Sequence, residues 1–291
     1  MPQATIGVIG GSGLYRMEQM TEVEEVHIST PFGDPSDAIT IGNVSGVSMA
    51  FLPRHGRGHR ISPTDIPARA NIWALKSLGV QWIISVSAVG SLRENIAPRD
   101  LVIPDQLFDR TKSRVNSFFE QGLVVHCTFA DPFCPTLSKL LLDAAQQLPG
   151  VKVHAGGTYV CMEGPLFSTK AESRVYRKLD MDVIGMTALP EAKLAREAEI
   201  CYATIACVTD YDSWHESEEP VTVEMVIGHL SANVANAQHM LQKVASKIPA
   251  DRSHVNCDCA RSLATSIITD PATIPAETKE KYNLLIGKYL S

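Results

Sequence analysis

The chain of 291 residues is 45% hydrophobic and 20% charged, with 26 Lys and Arg against 32 Asp and Glu, for a formal net charge of −6. That length supports a large core, and ordinary apolar content with little net charge per residue excludes disorder as the main state. The acidic balance, with a pI near 5.8, lacks the basic face that nucleic-acid binding needs, so no nucleic-acid partner is expected.

The uncharged stretches 77–92 and 225–242 fall short of the roughly 20 apolar residues that span a bilayer, and both contain polar groups, so no membrane association is expected. The N-terminal MPQATIGVIGG carries no basic segment and no small-residue cleavage pattern, so it reads as a first strand and the protein as cytoplasmic. Seven cysteines in such a setting read as buried thiols rather than a disulfide framework.

In chain order, a strand over 5–9 breaks at Gly10-Gly11-Ser12-Gly13, and β-rich runs follow at 38–41 and 47–52, with turn chemistry at 30–33 and Gly46. Residues 67–78 carry Ala70, Ile72, Trp73, Leu75 and Leu78 at helical spacing and close at Gly79, as a C-terminal cap does. The mostly apolar run 82–89 reads as a strand buried on both faces. Further strands are predicted at 101–103, 158–161, 181–184 and 200–208, and helices at 136–148, 169–179, 190–198 and 221–246. Alternating strands and helices predict one α/β domain over 1–248, a mixed, largely parallel central sheet flanked by helices, followed by a C-terminal extension over 249–291.

Three segments could carry chemistry. The glycine turn after the first strand can hold an anion on its backbone N–H groups, or it can be a plain tight turn; the dinucleotide pattern G-x-G-x-x-G fails, because its third glycine would fall on Arg16. The run PRHGRGHR (53–60) packs three Arg and two further basic rings around two glycines, a donor-rich loop suited to phosphate oxygens or a solvated basic face. Asp210 and Asp212 in VTDYD stand at a strand's carboxyl end, where α/β sheets bind ligands. A turn, a metal site and the DxD of sugar-nucleotide transferases compete for the same pair.

Taken together, VIGGSGLY, TPFGDPSD, PRHGRGH, NIWALKSLG with SAVGSLRE, ADPFCP, MEGPLFSTKAES, DVIGMTALPEAKLAREAEICYA and VTDYDSW resemble the 5'-methylthioadenosine phosphorylases of the trimeric purine nucleoside phosphorylase superfamily, in order from residue 6 to about 245. The resemblance implies a nucleoside phosphorylase-like fold and phosphorolysis of 5'-methylthioadenosine to adenine and 5-methylthioribose 1-phosphate, a purine and methionine salvage step. It implies phosphate held by Ser12, Arg54, His55, Ser87, the Ala88 backbone and Thr187. Met186 would lie against the ribose, Phe167 on the base with Ser168 beside it, and Asp210 and Asp212 would read the base. Val223, Val226 and Ile227 would take the methylthio group, with His126 from a neighbouring subunit of a trimer or dimer of trimers. Leu166 stands where some relatives carry a basic residue.

The chemistry agrees with these roles. A purine leaves badly as an anion, so a buried Asp210 with a raised pKa supplies a proton at N7, while Asp212 accepts from a 6-amino group and repels a 6-oxo group. Phosphate, a co-substrate, needs only positioned donors, so no cofactor and no metal are expected. Glu163 reads as structural, and Arg57 and His59 as supports of the Arg54 loop. The rivals are a 5'-methylthioinosine or purine nucleoside phosphorylase on the same scaffold, a nucleotide-dependent oxidoreductase, and a noncatalytic nucleotide-binding module. In the tail, Cys257 and Cys259 form a CxC pair that reads as free thiols or as partners for a residue such as Cys201; with His254 the only nearby further ligand, a zinc site is not expected there.

Overall fold

Two long strands, buried at every position or nearly so, form the spine around which the remaining elements are arranged: β5 (Trp82–Ser91) and β11 (Cys201–Asp210), which pair in parallel. The computed structural model describes residues 4–11, 13–14, 17, 20–120, 122–215, 223–252 and 255–290, without the side chains of 223–227, 230 and 231. The other strands are β1 (Ile6–Gly10), β2 (Thr21–Val26), β3 (Ile39–Val44), β4 (Val47–Pro53), β6 (Leu101–Ile103), β7 (Gln106–Arg110), β8 (Val153–Ala155), β9 (Thr158–Met162) and β10 (Val183–Gly185). The helices are α1 (Ala68–Ser77), α2 (Pro135–Ala145), α3 (Lys170–Lys178), α4 (Ala188–Glu197), α5 (Val223–Ala245), α6 (Ala276–Lys281) and α7 (Asn283–Ile286).

Among the described residues all eleven strands join one mixed sheet in the order β2-β3-β4-β1-β5-β10-β9-β7, with β11 on β5 and β6, and β8 on β6. Parallel pairs β1·β4, β1·β5, β5·β11, β6·β8, β7·β9 and β9·β10 outnumber the antiparallel ones. The result is the single α/β domain that the sequence predicts. Two apolar layers cover it. One gathers Ile72, Trp73 and Leu75 of α1 with Ala192, Leu194 and Ala195 of α4; the other gathers Leu137 and Leu141 of α2 with Met240, Leu241 and Val244 of α5. Each Leu, Ile, Val or Met side chain fully removed from water stabilises the fold by roughly 1.5–3 kcal/mol.

The predicted helices are present with ends shifted by a few residues. α3 starts at a capping box the sequence spells out: Thr169 accepts from the Glu172 N–H, and the Glu172 carboxylate accepts from the Thr169 N–H. In α4, Leu189 is extended, so regular turns begin at Pro190, where proline's missing N–H is harmless. β2, β7, β8, α6 and α7 are additions to the predicted set. The extension is not a loose appendage, since Leu263, Ile274, Tyr282, Leu285 and Ile286 are buried in the first apolar layer, and the Trp82 indole donates to Pro249 O. Among the described residues no helix is long and apolar enough to cross a membrane.

Candidate active site

The position of the site follows from how β5 changes partners. On one edge its first half pairs with β1, through Ile9 opposite Ser85, and its end pairs with β10, through Ile184 opposite Gly90. Residues 86–89 lie between these two partners, at the carboxyl ends of the parallel strands β1 and β4, where open α/β sheets bind ligands. Val86 O turns toward that edge and accepts from Arg54. Backbone groups alternate sides along a strand, so Ala88, two residues on, turns its N–H to the same edge.

Arg54 follows β4 directly and is 2% exposed. Its Nε bonds Glu191 Oε1 at 2.5 Å; Nη2 bonds Ser85 Oγ at 2.7 Å, Glu191 Oε2 at 3.2 Å and Ile9 O at 3.2 Å; Nη1 bonds Val86 O at 3.0 Å. One Nη1 hydrogen of the five N–H groups remains without an acceptor among the described residues. The sequence assigns Arg54 to phosphate, yet most of the guanidinium is spent tying β1, β4 and β5 to α4. Glu191, 2% exposed, also accepts from Tyr202 OH at 3.0 Å. Sequence reading missed Glu191; its one signal was a lone carboxylate among apolar residues at the start of α4.

Next to Arg54, His55 is 9% exposed, and its Nδ1 lies 2.9 Å from Ile61 O, a group that only accepts. Nδ1 therefore carries a hydrogen. Burial, together with the Arg54 charge, pushes the His55 pKa down to about 4, so at neutral pH the ring is uncharged and Nε2 is a bare acceptor. His59 stacks on His55 with centroids 4.2 Å apart, and Arg57 pairs with Glu25 at 2.7 Å. Both support the loop, as the sequence suggests.

Across the crevice, the hydroxyls of Ser87 and Thr187 are buried without a hydrogen-bond partner among the described residues, and so is that of Tyr159. The Tyr159 phenol lies beside the other two, and burial raises its pKa to about 12, so it remains a donor. Gly185 leaves room for it: a Cβ there would sit 2.0 Å from Tyr159 Oη. Three adjacent buried hydroxyls, each able to donate, can hold an anion. Tyr159 was missed because its strand reads only as apolar core. Ser12 lies outside the described residues.

At the far end of β5, a register shift in β11 between Val208 and Asp210 brings Asp210 opposite Gly90. A Cβ on Gly90 would stand 2.7 Å from Asp210 Oδ1 and 3.2 Å from Asp212 Cβ, so glycine keeps the place open. Asp210 is 5% exposed; Oδ1 accepts from the Asp212 N–H at 2.8 Å and Oδ2 from Thr209 Oγ1 at 2.7 Å. Burial raises the pKa of Asp210, and raises that of Asp212 with help from the Asp210 charge. Asp212 turns at φ +50°, lies beside the Ser168 and Ser173 hydroxyls, and keeps Oδ2 without a partner among the described residues. The two carboxylates thus share one crevice through a turn at the end of β11.

Ser168 joins this corner, its carbonyl accepting from Ser213 Oγ at 2.8 Å, while Phe167 is 42% exposed. Met186 is placed by Arg114, whose Nη1 donates to Met186 O and Leu189 O, both at 2.6 Å. Arg114 also bonds Glu163 O at 2.5 Å, and Glu163 accepts from Thr64 Oγ1 at 2.6 Å and from the Lys112 N–H. Glu163 is therefore a structural hub, and no sequence signal marked Arg114. His126 is exposed on the chain between β7 and α2, its N–H bonded to Ser266 O at 2.8 Å. The side chains of Val223, Val226 and Ile227 lie outside the described residues.

A sequence model of the phosphorylase superfamily matches residues 5–246. Curated relatives named S-methyl-5'-thioadenosine phosphorylase include one from Thermosynechococcus vestitus, 55% identical over 293 residues with 99% of each chain covered. Another, from Chloroflexus aurantiacus, is 57% identical over 292 residues with 100% of each covered. Among solved structures, a methylthioadenosine phosphorylase sourced from an Antarctic soil metagenomic library matches with a TM-score of 0.92 at 47% identity, over 98% of this chain and 99% of that one. The methylthioadenosine phosphorylase from Schistosoma mansoni in complex with adenine matches at 0.85 and 35%, over 91% and 99%.

Proposed function

This chain belongs to the phosphorylase superfamily, and on that premise we propose that it cleaves 5'-methylthioadenosine by phosphorolysis, giving adenine and 5-methylthioribose 1-phosphate for purine and methionine salvage. The relatives' names support the substrate. The observation that carries the reading is the meeting, along one stretch of β5, of three unpartnered buried hydroxyls with a pair of buried carboxylates.

Phosphate enters between Ser87, Thr187 and Tyr159, with the Ala88 N–H and Ser12 completing the cradle. Neutral His55 accepts the hydroxyl proton of hydrogen phosphate on Nε2, which orients the dianion, and Arg54 contributes its remaining Nη1 hydrogen and its charge. A phosphate oxygen attacks C1' as the C1'–N9 bond breaks, with positive charge on the sugar balanced by phosphate below it. The bond's electrons pass to the purine, and Asp210, its pKa raised by burial, serves as the acid that delivers a proton to N7. Asp212 Oδ2 accepts from the 6-amino group; it would face O6 of a 6-oxopurine lone pair to lone pair, so nothing here favours methylthioinosine. Met186 and Phe167 contact ribose and base, and Val223, Val226 and Ile227 receive the methylthio group.

The site is completed by a neighbour in a trimer or dimer of trimers, through His126. Supporting this, Leu166 is 82% exposed, and Val175 of α3 and Leu179 just past its end are 51% and 54% exposed, apolar surface that favours a partner. Seven free cysteines favour a reducing cytoplasm, and residues 1–248 form the catalytic domain. The reading is tested by base release from methylthioadenosine, methylthioinosine, adenosine and inosine, each with and without phosphate. Adenine release from methylthioadenosine that requires phosphate is the expected result; equal release in phosphate-free buffer would make the enzyme a hydrolase and end the proposal.

A further inference from the structure

The tail carries a site that phosphorolysis does not use. Cys257 and Cys259 meet Cys134 and Cys201, and the four Sγ atoms all lie within 4.8 Å of one another, with Cys201 and Cys257 3.6 Å apart. The four thiols come from three separate places: Cys134 is the residue that precedes α2, Cys201 opens β11, and Cys259 begins a 3-10 turn at Cys259–Arg261. Cys134, Cys201 and Cys259 are buried and Cys257 is half-buried.

We propose that Cys134, Cys201, Cys257 and Cys259 form a closed tetrahedral thiolate site for a structural zinc ion. Zinc–thiolate bonds of about 2.3 Å set the sulfurs of a tetrahedron about 3.8 Å apart, the spacing this cluster approaches. A four-sulfur set leaves no position for water or substrate, so the ion is structural, and soft sulfur ligands select zinc over magnesium or calcium. Four thiolates on a divalent ion leave two negative charges in a buried place. The surroundings offset them: Arg252 Nη1 stands 3.8 Å from Cys201 Sγ, fixed by Gln81 Oε1 at 3.1 Å and Glu199 O at 2.9 Å, and the amino end of α2 faces the cluster at Cys134. Arg252 would be an odd neighbour for four plain apolar thiols.

The sequence gives no zinc expectation because the CxC pair lacks two close ligands; folding supplies them from residues far away in the chain, while His254 lies outside the described residues. The ion would staple the segment after Pro249 to the ends of α2 and β11.

Tag-free protein, made with zinc in the medium and purified in reductant without chelator, tests this by elemental analysis. One zinc per chain is expected, with its release to a chromophoric chelator keeping step with titration of thiols by an organomercurial. Cobalt substitution should give the thiolate charge-transfer and intense visible bands of a tetrahedral site. Cys257→Ser with Cys259→Ser should lose the zinc and melt at lower temperature, while wild-type stoichiometry decides the matter if that variant does not fold. Reduced wild-type protein without stoichiometric metal, iron in place of zinc, disulfides among these four cysteines in mass spectra, or zinc fully retained by the double variant would each overturn the proposal.

Discussion

Burial pushes the Asp210 pKa up, against two short hydrogen bonds, from Thr209 Oγ1 and the Asp212 N–H, and the field of His229, all of which favour its ionised form. Asp210→Asn keeps the shape and removes the acid, so turnover of methylthioadenosine should fall by about 10² to 10⁴ with an unchanged melting temperature. Steady-state rates on the folded variant check this, and undiminished turnover would remove Asp210 from the mechanism. At the phosphate end, Tyr159→Phe deletes one donor without altering the packing. A hydrogen bond to a charged group contributes about 1.5–3 kcal/mol, so the KM for phosphate should rise roughly ten- to hundredfold while the KM for the nucleoside holds; initial rates over a phosphate series separate the two, and an unmoved phosphate KM would make Tyr159 mere packing. Asp210 and Asp212 were legible in the sequence because they close a strand's carboxyl end, and Ser87 and Thr187 only through the family resemblance of SAVGSLRE and GMTALPE. Tyr159, Glu191 and Arg114 were not, since their partners lie 11 to 137 residues away or, for Arg114, are main-chain carbonyls that no side-chain pattern encodes.

Between elements, the Arg54–Glu191 pair does what no apolar contact could. It joins the carboxyl ends of β1 and β4 and the middle of β5 to α4 and, through Tyr202 OH, to β11, fixing the floor on which the hydroxyls stand. Burying a charge pair contributes little net stability, but removing one partner strands the other. Glu191→Gln should therefore destabilise the fold by about 3–5 kcal/mol, read as a lower urea midpoint. Full stability with lost phosphate use would show instead that the pair serves the ligand and that Arg54 is chiefly a phosphate residue. The same buried sheet explains which elements the sequence disclosed. β5 and β11 are apolar along nearly their whole length because helices cover both faces. β2 is TEVEEV with five of six residues exposed, and β7 is QLFDR on the opposite edge of the sheet; charged edge strands protect a sheet from further pairing and for that reason carry no apolar signature.

At the scale of the whole molecule, the tail and the proposed subunit contact belong to one arrangement. The extension enters the core through Leu263, Tyr282 and Ile286, and its residues 266–269 hold the segment bearing His126, with Ile268 N bonded to Val124 O at 2.9 Å and Val124 N to Thr269 Oγ1 at 2.7 Å. The tail was legible only as an extension: Leu263 and Ile274 stand far apart, and the short helical stripe of Thr278, Tyr282, Leu285 and Ile286 went unread. What it presents is an exposed surface: Val124 at 49%, Ile268 at 62% and His126 beside them. A methylthio group gains affinity only where water is excluded, and at roughly 25 cal/mol per Å² a closed wall is worth about 1–3 kcal/mol over an open one. If the neighbour supplies that wall through His126, His126→Ala should raise the KM for methylthioadenosine and leave the KM for phosphate in place. Dissociation to monomers should abolish turnover even though each chain keeps its own Asp210 and its own hydroxyls. Sedimentation of the active species, with rates followed on dilution through the dissociation range, makes the comparison direct: activity that tracks the oligomer fraction is expected, and a monomer that turns over at full rate would mean that one chain closes its pocket alone.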